Sequence, residues 1–390
     1  MATVSQNSQA SSPPPPFGVR VRQFWHRVTE GMAIGQLWSQ FEKEARASYR
    51  LYSADVQAKT PEGLTRGGRR LHLVKEFFWA VLEKLSPARR VLLLAALVML
   101  VLPSGGFSYH DASGEVHIVE FEFHFWAAVL LFLLLMLEIA DRVVMKRDLQ
   151  IAREIQTWLL PGAPPQIPGL AIAYVTRPAN TVAGDYYDVF PRPGKTNEDN
   201  RVVFAVADVA GKSIPAAMLM ATFQASLKTL STAQVALPEL AANMNKYACT
   251  NSQGGLRFTT AVMAEYDAAK RTFTYINAGH NNPILLRRTG TIERLDVGGL
   301  PLGIMPEATY ASATVTLTPG DWLIIFTDGV VEAENATHEE YGEGRLLTSI
   351  GNPANLTPAE LLKRLLADLD RFVGNTPQHD DVTCMLLKAE

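Results

Sequence analysis

Four aspartates stand where a folded chain could gather them. Asp208 follows an apolar run, 203–207, and opens into a small-residue loop, 209–212. Asp185 lies in GDYYD (184–188) at a candidate strand start, and Asp328 in FTDG (326–329) follows the apolar run 322–326. Asp380, in HDDVT (379–383), opens the last candidate strand, 382–387. Strands of one sheet system that start or stop at a common edge would bring these carboxylates together. Buried side by side they repel, and their pKa values rise unless cations neutralise them. All-oxygen donors, with no Cys or His at matching spacing, favour hard Mg²⁺ or Mn²⁺ over zinc. GKS (211–213) beside a strand also invites a phosphate-loop reading. That motif needs a glycine five residues before Gly211, and position 206 is valine, so the reading fails.

The elements that must position these residues follow from the pattern around them. The strand 203–207 is followed by a helix, with Ser213 expected as its cap and Pro215 in its first turn. Its apolar face, Ala217, Met220, Ala221 and Leu227, should pack on the sheet. Further strands are expected at 170–177, 185–190, 258–266, 272–277, 283–287, 314–317 and 322–326. Helices are expected at 238–251, 339–350 and 358–373, the last capped by Thr357. Strands in direct succession across short turns imply antiparallel pairing, and with helices in pairs this gives an α+β layered sandwich.

At these residues the chain resembles a known family. GDYYD, ADVAGKSIPAAMLMA, FTTAVMAEYD, NAGHNNP, LPLGI, FTDGVVEAEN and HDDVT, in this order, are similar to PPM-type metal-dependent serine phosphatases. The nearest branch is that of the bacterial sporulation and stress-response sigma-factor regulators, and the likeness runs from about Arg147 to the C-terminus. It implies a four-layer α-β-β-α sandwich of two antiparallel sheets. It also implies two divalent cations, Mn²⁺ or Mg²⁺, and two-metal hydrolysis of phosphoserine on an anti-anti-sigma-type regulatory protein. By motif match Asp208 resembles the aspartate that bridges both metals, with the backbone carbonyl of Val209 beside it. Asp328 and Asp380 resemble further ligands and catalytic residues, and Asp185 the acidic residue that holds the site through metal or water. Ala183 and Ser213 stand where the family often has Gly, and Asn282 where it often has Pro; none of these departures removes a carboxylate.

Other polar residues near these motifs have two readings each. His280 is either a general acid or ligand, or a loop histidine that ties backbone together. Lys212 either contacts the substrate phosphate or is a solvated turn residue. Asp188, Asp381, Glu332 and Glu334 read as groups behind the site or on the surface. A rival from another class is a catalytically inactive, membrane-anchored interaction module on the same fold, against which the retention of all four aspartates speaks.

Ahead of this domain the composition changes. Residues 1–18 form a Pro-rich tail expected to be disordered, with no secretory signal, and 19–90 a helical, cytoplasmic region with the basic amphipathic pattern of 71–85. Two apolar cores follow, 91–102 and 125–137, with no Lys or Arg between Arg90 and Arg142. Arg89, Arg90, Arg142, Lys146 and Arg147 flank the pair, which is the pattern of a transmembrane helical hairpin (91–141) with both ends cytoplasmic. A buried helix pair or a dimerisation module is the alternative. From 121 to 160 no Gly or Pro interrupts the chain, and such a helix would extend ~60 Å. Met145, Leu149, Ala152, Ile155 and Leu159 are spaced as a short coiled-coil seam in a linker helix, 142–162, which would pair two chains as a homodimer; the alternative is a single amphipathic helix packed on the next domain. The family resemblance adds that this segment precedes a domain, 163–390, whose site can stay incomplete until the linker orders it. The formal net charge of −3 gives no case for nucleic acid, and Cys249 and Cys384 read as small core hydrophobes.

Overall fold

A computed structural model describes residues 85–103, 105–110, 116–192, 201–252 and 257–390, with isolated positions before residue 85. The tail and most of the helical region expected before residue 90 lie outside the described residues. The chain divides into two units, 1–141 and 142–390.

The first unit does not support the expected membrane hairpin. Its first apolar segment forms a helix, α1 (Pro87–Val101), of only 15 residues, where a span needs about 20. Leu102 is extended (φ −70°, ψ 134°), as the residue before Pro103 prefers, and the helix stops there. Two antiparallel strands follow, β1 (Gly105–His110) and β2 (Val116–Phe121), where a loop between spans was expected. Then comes α2 (Phe123–Leu159), 37 residues long. Among the described residues α2 is the one helix long and apolar enough to cross a membrane. Arg89, read as a flanking charge, is paired at 2.7 Å with Asp141 and at 3.5 Å with Glu138.

The second unit contains the C-terminal half of α2 and two sheets flanked by helices. In chain order the elements after α2 are β3 (Leu170–Arg177), β4 (Tyr186–Arg192), β5 (Arg201–Val209), α3 (Ser213–Ser231) and α4 (Leu237–Thr250). They continue with β6 (Thr259–Asp267), β7 (Thr272–Ala278), β8 (Ile284–Leu286), β9 (Ile292–Arg294), β10 (Gly298–Gly299) and β11 (Ala313–Thr316). The chain ends with β12 (Trp322–Phe326), α5 (Asp328–Val331), α6 (Gly342–Ile350), α7 (Pro358–Val373) and β13 (Val382–Ala389). One sheet runs β10-β7-β6-β5-β4 with β11 on β7, and the other β3-β13-β12-β8-β9. Every pairing is antiparallel except the two-residue β10–β7 contact.

Alternation along the strands builds the layers. On β5, Phe204 and Val206 join Leu323, Ile325, Met385 and Leu387 between the sheets. Ala205 and Ala207, on the opposite face, pack with Met220 and Leu227 of α3 and with Leu240 and Met244 of α4. The outer face of the other sheet, Ile324, Phe326 and Leu386, packs with Leu346 of α6 and Leu361 and Leu365 of α7. Successive strand residues point to opposite faces, so two apolar faces per strand require a layer on each side. The expected four-layer sandwich is the observed one.

Helix ends differ in how they are closed. Thr357 caps α7 through Glu360 N–H, with the Glu360 carboxylate returned to Thr357 N–H, a complete capping box. Ser213 does not cap α3: Lys212 occupies the cap position without a side-chain bond, and Ser213 is the first helical residue at φ +66°.

Candidate active site

Four strand ends bring the aspartates to one edge of the sandwich. Tyr186 pairs with Ala207 and Asp208 with Thr260, so Asp185 lies one step beyond the β4–β5 ladder, beside Asp208. Phe326 pairs with Cys384, so the Asp328 and Asp380–Asp381 loops leave the second sheet at neighbouring points. The electrostatics record the crowding. Asp208 is pushed up to about 7 by burial and then by Asp328, Asp380 and Asp381, with the Asp185 carboxyl lowering it in part. Asp185, 1% exposed, is raised by burial first and by Asp208 next, against hydrogen bonds from Thr383 and Thr327. Asp328 is raised by burial and by Asp380, while Gly329 N–H and Lys212 lower it.

The backbone around the cluster is held by neighbours of the aspartates within the same motifs and by one residue far outside them, Gln156. Thr327 donates its hydroxyl to Asp185 at 2.9 Å and accepts from Thr383 N–H at 3.0 Å, tying both sheets to one carboxylate. Asp381 does not face the cluster as a free ligand: it accepts from Ala179 N–H at 2.7 Å and Gly184 N–H at 2.6 Å. It thereby fixes the loop that delivers Asp185. A Cβ on Gly184 would come within 3.2 Å of the Val209 carbonyl and of Ala216, and one on Gly329 would overlap the Asp381 carbonyl. These two glycines are required by close approach of backbone to backbone. Gln156, on α2, is buried and clamps Ala183 from both sides, donating to its carbonyl at 2.7 Å and accepting from its N–H at 2.9 Å.

The remaining sequence candidates fall in different places. Asp188 lies along β4 beneath α3, paired with Lys228 at 2.9 Å and accepting from Tyr186 Oη at 2.7 Å. It is a buried counter-charge three residues in from the cluster edge. His280 is buried, its Nδ1 2.9 Å from Thr260 Oγ1 and its backbone N–H donating to Asn277 Oδ1 at 2.7 Å. Burial pushes its imidazole down to about 4, against a hydrogen bond with the Phe326 backbone that raises it. This is the position of a loop-tying residue. Lys212 Nζ reaches Asp380 Oδ2 at 3.0 Å and the His379 carbonyl at 2.6 Å. Glu332, raised by burial and Asp328, lines with Lys212, Arg177, Glu334 and Asp380 a cleft of about 210 Å³.

The donor chemistry fits hard cations: oxygens only, gathered at one edge, with a carboxyl near neutrality that a cation would let ionise. Among the described residues, however, no three His, Cys, Asp or Glu side chains converge as a ready-made metal site. The strands supply the carboxylates, and to share an ion their side chains would have to turn.

Comparison with known proteins follows the same stretch of chain. Residues 198–390 match the family model of stage II sporulation protein E, SpoIIE. IcfG of Synechocystis is 28% identical over 268 residues, 62% of this chain and 41% of that protein. The phosphoserine phosphatase RsbU of Bacillus subtilis is 28% identical over 244 residues, 62% of this chain and 70% of that protein. The match thus spans less than half the length of IcfG. The solved SiaA-PP2C domain of Pseudomonas aeruginosa has the same fold: TM-score 0.54, 18% identity, 64% of this chain and 99% of that one.

Proposed function

From a C-terminal domain that belongs to the SpoIIE type of PP2C-like phosphatase domains, we propose a divalent-cation-dependent protein serine/threonine phosphatase acting on phosphoserine of a regulatory, anti-anti-sigma-type protein. The observation that carries the reading is the gathering of Asp185, Asp208, Asp328 and Asp380 at one edge, with Asp208 pushed up to about 7. Asp208, the Val209 carbonyl, Asp328 and Asp380 would hold two ions, Mn²⁺ or Mg²⁺, with Asp185 behind them. Bound cations would supply an activated water and offset the charge that develops on the phosphoryl oxygens. The chain's own share is positioning. Thr327, itself bonded by Thr383 N–H, holds the Asp185 carboxyl, Asp381 fixes the 179–184 loop, and the Gly329 turn keeps Asp328 against the Asp380 loop. The cleft lined by Lys212 and Asp380 would admit the substrate chain.

The N-terminal part is read as input. The exposed apolar length of α2 supports membrane association through this one helix. Its later half supports a homodimer along a seam different from the expected one. Leu149, Ala152, Gln156 and Leu159 are turned inward to varying degrees, while Val144, Ile151, Ile155 and Trp158 are exposed at spacings of seven, four and three. The Gln156 clamp gives the linker a direct hold on the residue two before Asp185. The test is phosphate release from a phosphoserine peptide with and without Mn²⁺. Turnover that is unchanged by chelation would contradict the cation-dependent mechanism.

A further inference from the structure

Five carboxylates, Asp185, Asp208, Asp328, Asp380 and Asp381, act on one another at the cluster edge. Lys212 is the cation that reaches in among them. Its ammonium lies 3.0 Å from Asp380 Oδ2 and donates to the His379 carbonyl at 2.6 Å, and its charge lowers both Asp328 and Glu332. Arg177, which lines the same cleft, is engaged by Asp370 at 2.6 Å. The backbone isolates Lys212: Gly211 (φ +114°) precedes it and Ser213 (φ +66°) follows it, both left-handed, while Lys212 itself is extended. Its side chain is 55% exposed, so the stem is free to leave.

We propose that Lys212 is the resident counter-ion of the aspartate cluster, an ammonium that holds Asp380 until a divalent cation displaces it. The inference rests on reading the cluster as a cation site. A hard cation on Asp380 needs the carboxylate oxygen that Lys212 Nζ contacts. A doubly charged ion held by several carboxylates outcompetes one exposed ammonium. The pairing also accounts for a cluster whose carboxylates are close enough to perturb one another yet do not converge on one point. Displacement would leave the ammonium at the cleft, beside the place a phosphate ester enters.

The effect on metal binding is opposite to that of a structural residue. Removing the charge should weaken the cation-stripped protein, because the carboxylates lose a neutralising partner. The same change should tighten metal binding, because the competitor is gone. For an exposed pair the expected size is about three- to fivefold in affinity, and about 2 °C in melting temperature. The experiment compares the full chain with its Lys212→Met and Lys212→Arg variants by calorimetric Mn²⁺ titration and by melting in chelator. Lys212→Met should melt lower in chelator and bind Mn²⁺ more tightly, and Lys212→Arg should keep the parent's melting temperature. Mn²⁺ affinity that is unchanged or weaker in Lys212→Met overturns the proposal, as does an unchanged melting temperature in chelator. Failure of the parent chain itself to bind Mn²⁺ overturns the cation reading, and this inference with it.

Discussion

Replacing Gln156 by Leu separates a linker that merely precedes the phosphatase domain from one that holds its site together. The side chain is 6% exposed and makes two bonds to one residue: Nε2 to the Ala183 carbonyl at 2.7 Å, and Oε1 from Ala183 N–H at 2.9 Å. Ala183 is itself 1% exposed, so water does not replace a lost partner. Each bond contributes about 1 kcal/mol net, and each backbone group left buried and unpaired costs about 1–3 kcal/mol. The Leu variant should therefore lose about 2–5 kcal/mol, unless the 178–184 loop moves out to find water. Either response displaces Gly184, whose N–H anchors Asp381, and then Asp185. Urea unfolding would read the stability, and Mn²⁺ titration with phosphoserine turnover would read the site. The expected result is lower stability with Mn²⁺ affinity and rate reduced at least tenfold, a loss of about 1.4 kcal/mol or more at the site. A variant that is destabilised but binds Mn²⁺ and turns over as the parent does would refute the coupling of linker to site. A variant with unchanged stability, Mn²⁺ affinity and rate would refute the clamp.

Other expectations follow from single features. Asp208 has a folded pKa of about 7 against an ordinary 3.8, so the folded chain keeps a proton that the unfolded chain releases between those values. Its stabilisation is complete below pH ~4 and is lost as pH rises through ~7, on the order of 4 kcal/mol at most. In chelator, urea unfolding should thus show lower stability at pH 8 than at pH 5, with Mn²⁺ restoring it, and a flat or rising profile in chelator would contradict the crowding. Ser213→Gly should stabilise by about 0.5–1 kcal/mol by relieving φ +66°, and Ser213→Val should destabilise by more than ~1 kcal/mol, read by thermal melting. Arg192 is buried against Glu265, which Arg201 also pairs at 3.2 Å, and donates to the Ala233 and Val235 carbonyls, so Arg192→Met should cost about 2–4 kcal/mol in urea unfolding, chiefly from the carbonyls left unpaired.

The aspartates were legible because each sits at the junction of an apolar run and a small-residue or polar turn. β3, β12 and α7 have the bounds their patterns imply, since run length and caps set them locally. The residues that hold the aspartates were not legible. Thr327 falls just past the run 322–326, Thr383 lies inside the last strand, and Gln156 lies off the expected seam of the linker helix, so none was singled out. Their partners, Asp185 and Ala183, lie 142 and 27 residues away in sequence for Thr327 and Gln156. Asp188 shares a motif with Asp185, but strand alternation and the Lys228 partner place it beneath α3. The expected hairpin rested on charges flanking two apolar cores. Arg89 is neutralised by Asp141 and Glu138, and Pro103 leaves the first core at 15 helical residues. The expected Ser213 cap failed because the Gly211 turn sets the helix start one residue early, at a left-handed residue.

The central claim is that the aspartate edge binds divalent cations and hydrolyses phosphoserine through them. Its most direct test is paired Mn²⁺ titration and phosphoserine hydrolysis of the full chain and of Asp208→Asn, with circular dichroism as the control for folding. The account predicts Mn²⁺ binding and cation-dependent turnover in the parent. Both should be lost in Asp208→Asn while its spectrum is unchanged, because the substitution removes one charge from the residue most crowded by its neighbours. Unchanged Mn²⁺ affinity and turnover in a folded Asp208→Asn protein would contradict it.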